Sequence, residues 1–295
     1  MAAVSDTHFT YISGFVARPD KVCLVAEPDN QAAPGVAFTW GGGRFLGQDS
    51  LPFAPIRVEN IPGVETNTIG VEGDWICSLR GEVSTGTLDH GPDGPGGRGW
   101  IRDARRVDGH LYAVGMSRQA YMRDDDYVWH HIDADILSKE PGEMVGLNGI
   151  DGFSSKEIYA AGLKGEIWRF NGVRWFSVPS PTNVMLNCVR CIGEHVYITG
   201  NSGVLLRGRM GSFQVLTVER DEPNLEAVEA LGDAVYVASL RKLYRLDGTS
   251  LREVRTNLGE ITAGSLSGKD GVLWSVGAKH LLWTDDGKKW TQVFA

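Results

Sequence analysis

Cysteine is scarce in this chain: Cys23, Cys77, Cys188 and Cys191 are the only four in 295 residues. That is too few for a disulfide scaffold of this length, and it leads us to expect a reduced protein of the cytoplasm. Positive charge is also short. Lys and Arg number 29 against 37 Asp and Glu, a formal net charge of −8. A duplex-binding groove needs cations to displace the counterions of the phosphates, so nucleic acid is not an expected partner. No run approaches the ~20 apolar residues of a membrane-spanning helix. Residues 1–10 lack the basic start and apolar core of a secretory leader. Helical periodicity is thin, and its best stretch, Ile136 to Val145, is broken by Pro141 and Gly142.

Catalytic signatures are missing as well. The sequence has no P-loop, no G-x-S-x-G and no H-E-x-x-H. Gly41-Gly42-Gly43 runs into Arg44-Phe45 and not into a helix that could cradle phosphate, so it reads as a turn with unusual φ angles. Cys188 and Cys191 form a C-x2-C without a second ligand pair, and strand residues three apart face opposite ways. They read as core thiols. His130 and His131 are adjacent and face apart for the same reason. Asp124-Asp125-Asp126 lacks the alternating acidic spacing of a calcium loop. We therefore expect no metal, no cofactor, no catalytic residue and no enzyme.

What the chain does have is glycine (38), tryptophan (9) and a repeat. Tyr159-Ala160-Ala161-Gly162 is echoed by Tyr197-Ile198-Thr199-Gly200, Tyr236-Val237-Ala238-Ser239 and Trp274-Ser275-Val276-Gly277, at intervals of 38 or 39 residues. Ile167-Trp168-Arg169, Leu205-Leu206-Arg207, Leu243-Tyr244-Arg245 and Leu282-Trp283-Thr284 keep the same interval. Turns follow at Asn171-Gly172, Met210-Gly211, Asp247-Gly248 and Asp286-Gly287, of which the Asx-Gly pairs suit tight hairpins. A further strand precedes each unit, as at Leu186 to Ile192 and Leu225 to Leu231. Four strands in about forty residues is one blade of a β-propeller.

The pattern weakens towards the start. Tyr112-Ala113-Val114-Gly115, Trp75-Ile76-Cys77-Ser78 and Phe38-Thr39-Trp40-Gly41 extend it, with long loops around Asp89 to Gly99, Arg123 to Tyr127 and Ser138 to Glu143. The expectation is an all-β fold, one propeller domain over 1–295 with blades near 18–60, 61–98, 99–135, 146–181, 183–220, 222–257 and 260–295. A strand at 9–16 is expected to join the last blade and leave no sheet edge open. Six blades with an irregular N-terminal extension is the alternative.

Over 146–295 the chain resembles bacterial propellers of the BNR/Asp-box and Ycf48-like kinds. The resemblance is carried by Tyr159 to Gly162, Gly165 to Arg169 and Asn171 to Trp175, and by Asp285-Asp286-Gly287-Lys288-Lys289-Trp290 in the last copy, where Trp283 stands in place of the Ser or Thr of an Asp box. It implies an architecture and carries over no catalytic residue.

Acidity and the want of catalytic motifs suggest a protein-binding module, with rigid blades and variable loops. The sharpest form of that expectation is an acidic immunity protein, monomeric outside its complex, that neutralises a basic bacterial toxin. Its contacts would be Asp124, Asp125, Asp126, Asp221, Glu222, Glu226 and Glu229. Arg102 and Arg105, on a first strand expected to line the central channel, would mark a site at one mouth. The alternatives are a Ycf48-like assembly factor and a propeller enzyme of the glycosidase, sialidase or lyase kind.

Overall fold

The computed structural model describes residues 8–61, 65–79, 82–89, 91–140, 143–216 and 223–293. They form seven four-stranded antiparallel sheets, each a meander of consecutive strands, giving a seven-bladed β-propeller with almost no helix. The blades span 9–51, 55–87, 101–131, 147–178, 186–216, 225–253 and 264–293. The chain divides into two compact units, one holding blades 1, 2, 6 and 7 and the other blades 3, 4 and 5 with the turn at 71–74.

The repeated aromatics share one structural position. Tyr112, Tyr159, Tyr197, Tyr236 and Trp274 lie in the second strand of blades 3 to 7 and are at most 6% exposed. The glycine that ends the motif has a steric cause. A Cβ at Gly162 would fall 1.9 Å from the Gly146 carbonyl oxygen, and one at Gly277 2.0 Å from that of Thr262. The chain entering a blade passes over the end of that blade's second strand, and a side chain would block it.

The first two blades correct the expected phasing. Phe38 and Trp75 lie in third strands, Gly35–Gly41 and Asp74–Leu79, and so are not equivalents of Tyr112. The second strand of blade 1 is Lys21–Pro28, whose Cys23-Leu24-Val25-Ala26 is fully apolar without an aromatic. Phe9–Arg18 is accordingly the first strand of blade 1, paired to Lys21–Pro28 from Phe9↔Pro28 to Arg18↔Lys21. It is not a strand of the last blade, which has four of its own from Gly264–Lys269 to Thr291–Val293. The last hairpin also departs from an Asp box. Asp286 accepts the N–H groups of Lys288 (2.7 Å) and Lys289 (2.8 Å), and Thr284 Oγ1 accepts that of Gly287 (2.9 Å). Thr284 and Asp286 therefore organise the turn, one residue later than the box would place it.

Neighbouring blades bury side chains against each other. In one unit Tyr11, Val16, Leu24, Trp40, Trp274 and Val276 of blades 1 and 7 form a core; in the other Val107, Tyr112, Leu147, Ile150, Phe170 and Trp175 of blades 3 and 4 do so. Polar clamps reinforce these contacts. Arg209 of blade 5 donates from Nε and Nη2 to Glu157 of blade 4 (both 2.9 Å), and its guanidinium lies 4.1 Å from the Phe153 ring centroid. The Arg209 hydrogen bonds hold the Glu157 carboxyl below its ordinary value, helped by a hydroxyl bond from Tyr159.

A depressed carboxyl contributes stability above its unfolded pKa, about 4.3, and loses it as pH falls through the lower folded value. Glu157→Gln should therefore lower the melting temperature at pH 7 by about 2–4 °C, the size of a partly exposed pair near 1 kcal/mol. The gap should close on acidification towards pH 3. A gap that persists in acid would show that the pair acts through packing and not through charge.

Candidate partner-binding surface

The nine residues singled out in the sequence separate sharply by burial. Arg105 and Glu229 are 6% and 5% exposed, out of reach of a partner. They belong to an arrangement that recurs along the first strands. In blade 3, Asp103 lies 3.9 Å from Arg105 Nε and accepts the Ile150 N–H of blade 4 (3.1 Å). In blade 4, Asp151 accepts the Cys191 N–H (2.8 Å) and Arg190 Nη1 (3.2 Å) of blade 5. In blade 6, Glu229 accepts the Ala230 N–H (3.0 Å). Asp103 and Asp151 are thus met by the next blade and serve the packing of blades, while Glu229 is met within its own strand.

Arg102 is exposed and donates from Nε to Asn148 Oδ1 (3.3 Å); Asn148 in turn donates to the Leu186 carbonyl (2.8 Å). Glu226 is half-buried on the first strand of blade 6, and burial raises its carboxyl above the ordinary value. Asp221 and Glu222 lie outside the described residues. Cys191 sits behind Asp151, and burial pushes its thiol well up, with the Asp151 carboxylate adding to the rise. Among the described residues no group of three His, Cys, Asp or Glu could hold a metal ion.

The acidic triplet falls where expected, in the hairpin between Ala120–Arg123 and Trp129–His131 of blade 3. Its three members are not equivalent. Asp124 Oδ1 accepts the N–H groups of Asp126 (3.0 Å) and Val128 (2.8 Å), as Asn171 does for Val173 and Arg174 in blade 4. It is the turn-forming Asx residue of its blade. His130 Nε2 lies 2.6 Å from Asp124 Oδ2, and that bond above all holds the Asp124 carboxyl below its ordinary value. Asp125 and Asp126 remain on the surface, Asp125 with its side chain 95% exposed although it lies 3.4 Å from His110. Tyr127 and Val128 stand exposed beside them.

A second surface was not foreseen from the sequence. The connections at 88–100 and 132–146, before and after blade 3, are much longer than the repeat requires, and they are tied to each other. Arg98, in the short helix Pro95–Arg98, donates to the Ser138 carbonyl (2.7 Å) and pairs with Asp93. His131 Nε2 lies 2.8 Å from Asp89 Oδ2. Gln119 Nε2 donates to the Gly99 carbonyl (2.6 Å), and the Ser138 hydroxyl donates to Glu143 (2.6 Å). Met116 links the two: its N–H donates to the Trp100 carbonyl (2.9 Å) and it bridges to Gly146, while Ser117 N–H donates to the Val145 carbonyl (2.9 Å). Segments 99–100, 116–117 and 145–146 thus run side by side. At their edge Trp100 is 56% exposed and Met144 68%. The sequence signal was available: Trp100 lies outside the aromatic beat of the blades.

No protein-family model matches the chain. It is 33% identical over 300 residues to the immune protein Tsi7 of Pseudomonas aeruginosa, covering 97% of each protein. Among solved structures, the WD40 β-propeller domain of Doa1 is similar with a TM-score of 0.72 at 14% identity, covering 96% of this chain and 95% of that one. Ycf48 bound to a D1 peptide is similar with a TM-score of 0.69 at 12% identity, covering 100% and 94%. At such identities the two structures speak for the propeller fold alone.

Proposed function

This chain belongs to the family of the immune protein Tsi7, and from that membership we propose that it is a non-catalytic immunity protein, a propeller that binds and neutralises a toxin. The observation that carries the reading is the 33% identity across essentially the whole of both proteins. The build of the molecule is in keeping with it. The buried first-strand carboxylates Asp103 and Asp151 are spent on blade packing, and much of what is exposed lies in turns and connections of the kind that vary without disturbing a core. Among the described residues no helix is long and apolar enough to cross a membrane.

The finer reading is that the toxin is basic and met in the cytoplasm. The net charge of −8 supports it, as do the exposed Asp125 and Asp126. Opposite charge speeds encounter, and the gain is screened by salt. In an affinity capture from the source bacterium, one dominant basic protein should be retained at low salt and its association should slow roughly tenfold or more at 0.5 M salt. Cells producing that protein should survive only when this chain is co-produced. Survival that does not depend on the chain would sink the immunity reading; a captured protein that is acidic, or whose association is indifferent to salt, would sink the basic-toxin reading.

A further inference from the structure

The exposed pair Trp100 and Met144 has no part in the architecture just described. Their backbones are fixed, since the Trp100 carbonyl accepts the Met116 N–H, and Met144 stands two residues before Gly146, which bridges to Met116. The Met116 side chain lies against Gly99 and Gly146, the glycines of the two flanking segments: a Cβ built on Gly99 would lie 3.1 Å from Met116 Cβ, and one on Gly146 3.0 Å from its Sδ. Trp100, Met116 and Met144 thus stand on three adjoining backbone segments, a short apolar ridge along a strand-like ladder, with Trp100 and Met144 mostly in water.

The surroundings are acidic. The two connections hold Asp89, Asp93, Asp133, Asp135, Glu140 and Glu143 against only Arg98 and Lys139 as cations. Arg98 is engaged by Asp93 and the Ser138 carbonyl. Asp89 faces His131, and buried Asp133 accepts the Ala120 N–H. Asp135 and Glu140 are left exposed on the connection that carries Met144, whereas partly exposed Glu143 is already met by Arg118 Nη2 (3.8 Å) and the Ser138 hydroxyl (2.6 Å). An exposed tryptophan on a rigid backbone, with flexible methionines beside it and carboxylates around it, has the composition of an interface anchor for a basic protein. Acidic rim groups would repel an acidic partner, and a neutral one would leave them unanswered on desolvation.

We propose that the toxin is gripped at this ridge, with Trp100 as the anchor, Met116 and Met144 beside it, and Asp135 and Glu140 receiving basic side chains from the partner. The proposal rests on the immunity reading and names its binding surface.

The test titrates the full chain with the purified basic protein that the wild type both retains and neutralises. Trp100→Ala should weaken binding by about 30-fold or more, as truncation of a central aromatic anchor does. Met144→Glu should weaken it severalfold, and Trp100→Phe should recover much of the loss. Val173→Ser, at an exposed site on the hairpin at the other end of the blade 4 strands, should bind within twofold of wild type. Melting curves of the variants should match the wild type, which separates lost contact from lost fold. If no protein is both retained and neutralised by the wild type, the immunity reading falls and this surface with it. If the wild type binds and Trp100→Ala binds within twofold of it, the immunity reading stands and the ridge is not the site.

Discussion

Replacing Asp151 by alanine is expected to lower the melting temperature by about 5–10 °C, a large change for one residue. Its carboxylate is 7% exposed and does three things at once. It accepts the N–H groups of Cys191 (2.8 Å) and Gly152 (2.9 Å), and it takes Arg190 Nη1 at 3.2 Å. Alanine deprives two part-buried donors of this acceptor and takes a carboxylate from a mostly buried guanidinium, a loss of about 2–4 kcal/mol. Each kcal/mol is worth about 2–4 °C in a domain of this size. Asp151→Asn keeps an acceptor oxygen for the Cys191 N–H but removes the charge, and should cost about half as much. Scanning calorimetry decides the matter. An Asp151→Ala protein that melts like the wild type would mean that the buried first-strand charges are not holding blade to blade, and would return them to the list of candidate ligand groups.

That result bears on how the residues were legible. A buried Asp on a first strand looks, in the sequence, the same as one aimed at a ligand. The difference is made by the backbone of the following blade, roughly forty residues later, which no local pattern displays. The same limit explains Asp124. Its place in a run of three acids suggested a common role, and only the turn shows that it is the hairpin's Asx residue while Asp125 and Asp126 face outward.

The blades themselves were readable from residue 99 onward, because the aromatic of the second strand and the glycine that closes it recur for physical reasons. The aromatic fills the space between sheets and the glycine clears a crossing chain. In blade 1 both are absent, and blade 2 keeps only the glycine, Gly70, without the aromatic. Lys21–Pro28 buries Val, Leu and Ala where later blades bury Tyr or Trp. Aromatics that do occur there, Phe38 and Trp75, sit one strand later at a misleading interval. That interval leaves Phe9–Arg18 outside blade 1, to which its pairing with Lys21–Pro28 assigns it. The Trp100 and Met144 ridge escaped notice for a related reason. Exposure is a property of the fold: Trp100, one of nine tryptophans, lies off the aromatic beat, but the sequence does not say that it faces water.

Trp274 and Trp100 make the sharpest contrast, and they are expected to behave in opposite ways. Trp274 is fully buried among Val16, Val22, Leu24, Trp40, Val276 and Leu281, with its ring centroid 4.9 Å from that of Trp40 at an interplanar angle of 65°. It is the blade 7 member of the aromatic series, and both blade 7 and blade 1 pack on it. Trp274→Ala removes a large aromatic and leaves a cavity that two sheets cannot close, for a loss of about 3–5 kcal/mol. Trp274→Phe keeps most of the buried ring and should lose less than half as much. Trp100→Ala removes a side chain that is 56% exposed, so its stability should stay within about 0.5 kcal/mol of wild type. Denaturant titration of the three variants checks all of this together. If Trp100→Ala unfolded as readily as Trp274→Ala, Trp100 would be a structural residue and its role as a partner anchor would be lost. If Trp274→Ala were the stable one, the aromatic beat would not be what holds the blades. With Trp274 costly and Trp100 neutral, the off-beat tryptophan is left with no task in the fold, and surface recognition is the chemistry that remains for it.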